Sequence, residues 1–110
     1  MMATNKETYI QNEIRVALCE AGCTIHRCNT GVFFTRDGRR ITVGEEGHSD
    51  LYGHTSEGKA FYLEIKTPIG RASDAQKKFI AAMQRSGAIA GFARSVEDAL
   101  RIVKGDKTDV

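Results

Sequence analysis

Three residues near the middle of the chain have the types and spacing to support hydrolytic chemistry. In the segment FYLEIK (61–66), apolar and polar residues alternate as in a strand, so Glu64 and Lys66 share the polar face. The preceding segments DLYGH and TSEGK complete a hairpin centred near Glu57, in which residues whose numbers sum to about 114 face each other. Asp50 then lies opposite Glu64, with Cβ atoms about 4.5–5.5 Å apart.

A pair of carboxylates at this separation needs a reason. The two charges repel unless one group is protonated or a cation lies between them. Mg²⁺ is usually held by one or two carboxylates, lowers the pKa of a bound water and stabilises a leaving alkoxide. A nearby ammonium, such as that of Lys66, can orient the water or stabilise the charged transition state. The same spacing is compatible with a surface Glu–Lys pair that has no catalytic task.

Two further polar residues lie on helix faces that are otherwise apolar. Glu7 falls on the apolar stripe of the first predicted helix, and Gln76 falls on that of the second. Each is also the third position of a capping box, Glu7 with Thr4 and Gln76 with Ser73. Capping alone explains either residue, so the sequence leaves open whether their side chains turn toward the acidic pair.

The elements that must position these residues follow from hydrophobic periodicity, caps and turns. We predict the order α-β-β-β-β-β-α-β-α, with all strands in one mixed sheet and helices packed on it. The predicted helices cover 4–22, 73–87 and the segment after Ser95. The predicted strands cover 24–28, 31–36, 39–43, 50–54, 60–66 and 88–93, with Asp37-Gly38 as a hairpin turn.

Composition indicates an ordinary globular protein. The 110 residues suit a single domain spanning 1–110, with a frayed tail from about residue 105. Hydrophobic residues make up 41% and charged residues 27%, which excludes a disordered chain. The sequence lacks an apolar run of about 20 residues and an apolar N-terminal signal. We therefore expect a cytoplasmic protein without a membrane partner.

Charge and cysteines are less informative. The formal net charge is +2, with acids gathered between Glu45 and Glu64 and bases gathered in RDGRR (36–40) and in the second half of the chain. This pattern suits a polyanion-binding surface or an ordinary mixed surface, and charge alone favours the latter. The segment CEAGCTIHRC brings Cys19, Cys23, His26 and Cys28 together, but their spacing matches no usual zinc pattern.

Together these residues resemble a known nuclease pattern. Asp50 followed by Glu64-Ile65-Lys66 is similar to the D…(D/E)-x-K signature of the PD-(D/E)XK nuclease superfamily. The flanking sequence resembles the virus-type replication-repair nuclease (VRR-Nuc) domain, in particular its small stand-alone phage and prophage members. The matching segments are ETYIQNEI, RCNTG, GHSDLYG, YLEIKTPIGRASDAQKKFI and GAIAGFARSVEDAL, which cover nearly the whole chain in order. Ser49 stands where the superfamily often has proline.

The resemblance implies a fold and a metal site. The fold would be α/β, a restriction-endonuclease-like mixed central sheet flanked by helices with an α-βββ-α-β-α core. The activity would be metal-dependent endonucleolytic cleavage of DNA with Mg²⁺ or Mn²⁺ as cofactor. Asp50 and Glu64 would bind the metal, helped by the backbone carbonyl of Ile65, and Glu7 would complete the acidic site.

The resemblance also implies roles for polar residues around the metal. Lys66 would orient or activate the attacking water, and Gln76 would lean over the site. Arg27 and Asn29 match the family's R-x-N-x-G segment and would support the site or contact the DNA backbone. In the basic second half, Arg71 and Lys77 are further candidates for DNA contact.

The small stand-alone members further imply a substrate and a partner. They resemble structure-specific nucleases of branched DNA, such as four-way (Holliday) junctions, in a bacterial cell or a phage-infected host. Symmetric cutting of a junction needs two active sites, which a homodimer of this small domain would supply. A nuclease of flap, linear or RNA substrates, and a non-catalytic nucleic-acid-binding module, are the alternatives.

Overall fold

The predicted order of helices and strands is the observed one. The computed structural model describes residues 6–28, 31–43 and 48–105. The elements are α1 (Lys6–Glu20), β1 (Thr24–Arg27), β2 (Gly31–Phe34), β3 (Arg40–Val43), β4 (Leu51–His54), β5 (Ala60–Ile65), α2 (Asp74–Arg85), β6 (Ile89–Ala93) and α3 (Val96–Val103). Thr4, the predicted cap of α1, and residues 106–110 of the predicted tail lie outside the described residues.

The central sheet has four strands in the order β1-β4-β5-β6. β4 pairs antiparallel with both β1 and β5, whereas β5 and β6 run parallel, so the sheet is mixed as predicted. In the β4–β5 hairpin, Leu51 pairs with Leu63 and His54 pairs with Ala60. These partners have the predicted register, which places Asp50 and Glu64 at the next opposed positions.

The prediction of a single sheet is wrong. β2 and β3 pair with each other in a separate two-stranded sheet. β1 pairs directly with β4, so the segment between them forms an inserted hairpin instead of joining the central sheet. The physical reason is that β1 takes β4 as its neighbour, where Gly53 permits the close approach, and Phe34, Ile41 and the arginines at the hairpin turn are left exposed.

Both faces of the central sheet are covered by helices. On one face, α1 and α3 pack against β4, β5 and β6. The fully buried residues there are Ile14, Leu18, Leu51, Phe61, Leu63, Ile65, Ala93, Ala99 and Ile102. On the opposite face, α2 forms a smaller core with Phe79, Ile80, Ala90 and Phe92, against which Tyr62 packs. Glu64 and Lys66 share this second face with Tyr62, so the polar side of β5 is enclosed as well.

The close approach of β1 to β4 depends on one glycine. Gly53 lies opposite Ile25, and a Cβ atom at Gly53 would come within 1.9 Å of the carbonyl oxygen of Thr24. Only glycine therefore fits here. This close pairing keeps β1 alongside β4, which begins one residue after Asp50.

Among the described residues, none of the helices combines the length and the apolar composition that a membrane span requires.

Candidate functional site

The polar face of β5 is buried to an unusual degree. Glu64 is 1% exposed and Lys66 is 9% exposed, although both are charged residue types. The alternating residues Phe61, Leu63 and Ile65 are fully buried on the other face. Packing on both faces therefore holds the strand in place, which fixes the positions of the Glu64 and Lys66 side chains.

Asp50 is held across the sheet from Glu64 by backbone contacts on both sides. Its side-chain Oδ2 accepts a hydrogen bond of 3.0 Å from the N–H of Ile65. Its own carbonyl oxygen accepts one of 2.8 Å from the N–H of Cys28, just after β1. Asp50 thus continues the strand pairing where β4 begins, and its carboxylate lies at the strand end that carries Glu64.

The backbone of Ile65 faces the same edge. Within a strand, the N–H and C=O of one residue point to the same side, and the N–H of Ile65 points at Asp50. The Ile65 carbonyl is therefore directed to the side of Asp50. This orientation agrees with its predicted position beside the two carboxylates.

Gln76 both caps α2 and contacts the site, so the two readings of its position are compatible. Its side-chain Oε1 accepts a hydrogen bond of 2.9 Å from the N–H of Ser73, and its own N–H donates one of 3.1 Å to the Ser73 hydroxyl. The other end of the amide, Nε2, donates a 3.0 Å hydrogen bond to Oε1 of Glu64. The capping box therefore orients the amide that holds Glu64.

The second oxygen of Glu64 has no such partner. Oε2 is buried and forms no hydrogen bond with any described residue. Burial, as the largest cause, and the nearby charge of Asp50 together raise the pKa of Glu64 from 4.5 to about 9. Lys66 opposes this shift, and Glu7 adds to it. Without a cation, the site thus stores a proton on Glu64 in place of a second negative charge.

Lys66 is positioned by the chain that follows it. Its backbone N–H donates a 3.0 Å hydrogen bond to the carbonyl of Ala93, extending the pairing between β5 and β6. The next loop is held by Arg94, whose Nη1 donates to the carbonyls of Thr67 (2.6 Å) and Gly70 (2.7 Å). This role of Arg94 was not predicted, because no local sequence pattern links it to a loop more than twenty positions upstream.

The first helix contributes polar groups on its inner side. Glu7 lies in the first turn of α1, half-buried, and is near enough for its charge to raise the pKa of Glu64. Gln11, which the sequence analysis missed, is 7% exposed. The helical spacing of the sequence could have identified Gln11, since it lies four residues after Glu7 and three before the buried Ile14. The inner face of α1 is therefore polar at its start and apolar beyond.

Aromatic rings border the site on the side of α2. The ring of His48 lies 4.5 Å from that of Phe79 and 5.6 Å from that of Tyr52, between centroids. Its Nδ1 is 2.8 Å from the carbonyl oxygen of Ser49. Ser49, at the position where the superfamily often has proline, is buried and donates a 3.0 Å hydrogen bond to the Leu51 carbonyl. These contacts order the two residues before Asp50.

The predicted DNA-contacting residues lie at the surface around this centre. Arg27 is exposed at the end of β1, opposite Leu51. Arg71 is exposed in the loop before α2, and Lys77 is exposed in its first turn, next to Gln76. The fourth candidate, Asn29, lies outside the described residues.

The donor set fits a cation held by two carboxylates rather than a closed metal cage. The described residues contain no group of three or more His, Cys, Asp or Glu side chains able to hold a metal ion. This applies to the sequence cluster of Cys19, Cys23, His26 and Cys28, and to Glu7 together with the acidic pair. A hard divalent ion bound by one or two carboxylates is compatible with the pair, and it would satisfy the unpartnered Oε2 of Glu64.

Comparison with known proteins agrees with this fold. The family model described as VRR-NUC domain matches residues 3–97 of the chain. A solved structure described as "VRR_NUC domain" is similar with a TM-score of 0.67 at 16% identity, covering 93% of this chain and 98% of that one. A second, "VRR_NUC domain protein", has a TM-score of 0.59 at 17% identity and covers 94% and 88%. No curated protein matches the sequence significantly.

The state of Glu64 generates a testable pH dependence. In the metal-free protein the folded state retains a proton on Glu64 up to about pH 9, whereas the unfolded chain loses it near its ordinary value of 4.5. The free energy of unfolding should therefore fall as pH rises through this window, by at most about 1.4 kcal/mol per pH unit. Glu64→Gln should remove this contribution and be more stable than the wild type at about pH 8.

Urea unfolding in the presence of a chelator, between about pH 5 and pH 8, measures the effect. Because other groups also titrate, the informative quantity is the difference between the wild type and Glu64→Gln. Glu57→Gln, in the exposed turn between β4 and β5, is the matched control and should leave the pH profile unchanged. A wild-type profile parallel to that of Glu64→Gln would show that Glu64 ionises normally.

Proposed function

The chain belongs to the VRR-NUC domain family, a family of nuclease type, and from this premise we propose that it is a divalent-metal-dependent DNA endonuclease. The observation that carries the proposal is the buried, unpartnered Oε2 of Glu64 opposite Asp50. A carboxylate pair with this environment costs folding free energy unless a cation or a proton compensates it. Perturbed groups of this kind are typical of functional sites.

The proposed metal ligands are the carboxylates of Asp50 and Glu64. The carbonyl of Ile65, directed to the same edge, is a further candidate, and Glu7 remains a predicted contributor from α1. Mg²⁺ or Mn²⁺, when bound, would polarise a phosphate oxygen and lower the pKa of a coordinated water. Binding would also displace the proton that Glu64 retains in the metal-free protein.

The chain's own residues have separate tasks in this proposal. Lys66, on the same face of β5 as Glu64, would orient the attacking water or stabilise charge on the phosphate. Gln76 would hold Oε1 of Glu64, so that Oε2 is directed away from the helix cap. Enclosure by α2 lowers the local dielectric, which strengthens both interactions.

The proposed substrate is branched DNA, with four-way junctions favoured and flap, linear or RNA substrates as the alternatives. Arg27, Arg71 and Lys77 are exposed around the site and would contact phosphates, as we also predict for Asn29. We propose that the reaction takes place in the cytoplasm of a bacterial cell or phage-infected host, where such DNA is found.

Replacing Lys66 tests the proposed chemistry. We expect wild-type protein to cut labelled junctions with Mg²⁺ or Mn²⁺, and we expect Lys66→Ala to lose roughly 100- to 1,000-fold in single-turnover rate. Lys66→Met, which keeps the aliphatic stem and the packing of this buried residue, should lose as much. Lys59→Ala removes an exposed lysine at the far end of the β4–β5 hairpin and should cleave at the wild-type rate.

The same samples separate the enzyme from a non-catalytic binding module. Calorimetry should detect Mn²⁺ binding that Asp50→Asn weakens, and Mn²⁺ should raise the melting temperature of the wild type. Retained cutting by both Lys66 variants would refute the assigned site. DNA binding without any metal-dependent cutting would favour the binding module, and comparison of junction, flap, linear and RNA substrates identifies the preferred one.

Gln76 and Ser73 offer a matched pair that distinguishes capping from a role in the site. Both Gln76→Ala and Ser73→Ala break the capping box and should destabilise α2 by about 0.5–2 kcal/mol. Only Gln76→Ala also removes the hydrogen bond to Glu64. We therefore expect similar losses of stability but a cleavage rate at least about 10-fold lower for Gln76→Ala alone. Equal cleavage rates for the two variants would show that Gln76 acts only as a helix cap.

The proposed homodimer is tested by mass. One domain supplies one site, so paired cuts on opposing strands of a junction require two copies. Sedimentation equilibrium should give a protein mass near twice 12.1 kDa for the free protein. The complex with a junction should give the same protein mass once the mass of the DNA is subtracted. A single copy bound to a junction that is nevertheless cut on both strands at once would contradict it.

A further inference from the structure

The β2–β3 hairpin (31–43), here termed the arm, stands apart from the rest of the fold. Its strands pack against each other and form no extended contact with another described helix or strand. A two-stranded hairpin is marginally stable in water on its own. A hairpin with this little support from the rest of the fold would be stabilised by a binding partner.

The tip of the arm is ordered by its own hydrogen bonds. The N–H of Thr35 donates to the carbonyl of Arg39, and the N–H of Gly38 donates to the carbonyl of Thr35, each at 2.9 Å. The Thr35 hydroxyl oxygen accepts a further bond of 2.9 Å from the N–H of Arg39. The turn is thus fixed before any partner arrives, which reduces the entropy cost of binding.

The tip carries a concentrated positive charge. Arg36, Arg39 and Arg40 contribute +3 and Asp37 contributes −1, so residues 36–40 sum to +2. The formal charge of the whole chain is also +2, so the other residues sum to zero. Asp37 pairs with Arg39 at 3.4 Å, but that arginine side chain is still 78% exposed. Arg36 and Arg40 form no salt bridge with a described residue and are exposed.

Both ends of the arm lie close in sequence to residues of the acidic site. Cys28, whose N–H binds the Asp50 carbonyl, precedes Gly31 by three residues, a span of at most about 11 Å. The second strand of the arm ends at Val43, seven positions before Asp50 in the sequence. Arg36 is eight positions after Cys28, so it lies within about 30 Å of Cys28, a length of at most about nine base pairs of duplex.

We propose that the arm lies along the duplex next to the cleaved position and that its arginines bind backbone phosphates there. This inference deepens the proposed nuclease function and rests on it for the choice of substrate. Three exposed guanidinium groups around an ordered hairpin turn suit the repeating charge of DNA and give affinity without reading sequence. Phe34, 71% exposed and paired across the strands with Arg40, adds an apolar surface for a sugar or an unpaired base.

The test replaces the three arginines together, as Arg36→Ser, Arg39→Ser and Arg40→Ser. Binding to fluorescent duplexes is measured by anisotropy in a chelator, where nothing is cut, at several salt concentrations. We expect the arm variant to bind a 24-base-pair duplex roughly 10- to 100-fold more weakly and to lose about 2–3 from the slope of log Kd against log salt. On a duplex of about six base pairs the difference should shrink, because the arm extends past its end.

A second triple variant controls for net charge. Lys59→Ser, Arg85→Ser and Lys104→Ser remove the same three charges from exposed positions outside the arm. This variant should change affinity by less than about 3-fold, and a loss as large as that of the arm variant would overturn the assignment to the arm. With Mn²⁺ and saturating junction DNA, the arm variant should cut at the wild-type rate while its KM rises.

Other outcomes decide between partners. If the arm variant binds every duplex as the wild type does, the inference is wrong. If Phe34→Ser and the arm variant instead change the mass in sedimentation without changing DNA affinity, the arm is an interface between copies and the inference is also wrong. If wild-type protein cuts nothing with Mn²⁺ but the arm variant still loses affinity, the nuclease proposal fails and the arm remains a nucleic-acid contact.

Discussion

The burial of Glu64 is the constraint on which the rest of the site depends. A carboxylate with 1% exposure and an unpartnered oxygen costs folding free energy, so its position must be enforced by packing. Packing on both faces of β5 holds Glu64 in this position, since α1 and α3 bury the apolar side of the strand and α2 covers its polar side. The two-sided enclosure keeps the side chain in place, and it is the largest of the causes, ahead of the charge of Asp50, that raise the pKa of Glu64 to about 9.

The start of α2 couples helix formation to the geometry of the site. A capping glutamine normally satisfies only the backbone at the first turn, but the amide of Gln76 has a second end that reaches Glu64. The position of Glu64 is therefore tied to the residue at which the helix begins. A shift of the helix start by one residue would rotate Gln76 by about 100° around the axis and break the contact.

Local patterns predicted the β4–β5 register and the alternation around Glu64, because both depend on neighbours within one hairpin. They also placed Gln76 on the correct helix face. They did not predict the hydrogen bond from Arg94 to the loop after Lys66, since this contact joins segments that are distant in sequence and follows no periodic pattern. The single-sheet prediction failed for a related reason: the choice between β2 and β4 as the partner of β1 depends on tertiary packing, and Gly53 permits the latter.

Electrostatics give a reason for separating the arm from the acidic centre. Carboxylates that bind a metal also repel the phosphate that must approach it, and the buried Lys66 beside them offsets only part of that charge. The residues outside 36–40 sum to zero formal charge, so the arm accounts for the net positive charge of the chain. In the proposed complex, the arm would supply attraction at a distance from the acidic pair, and the metal would neutralise charge at the phosphate itself.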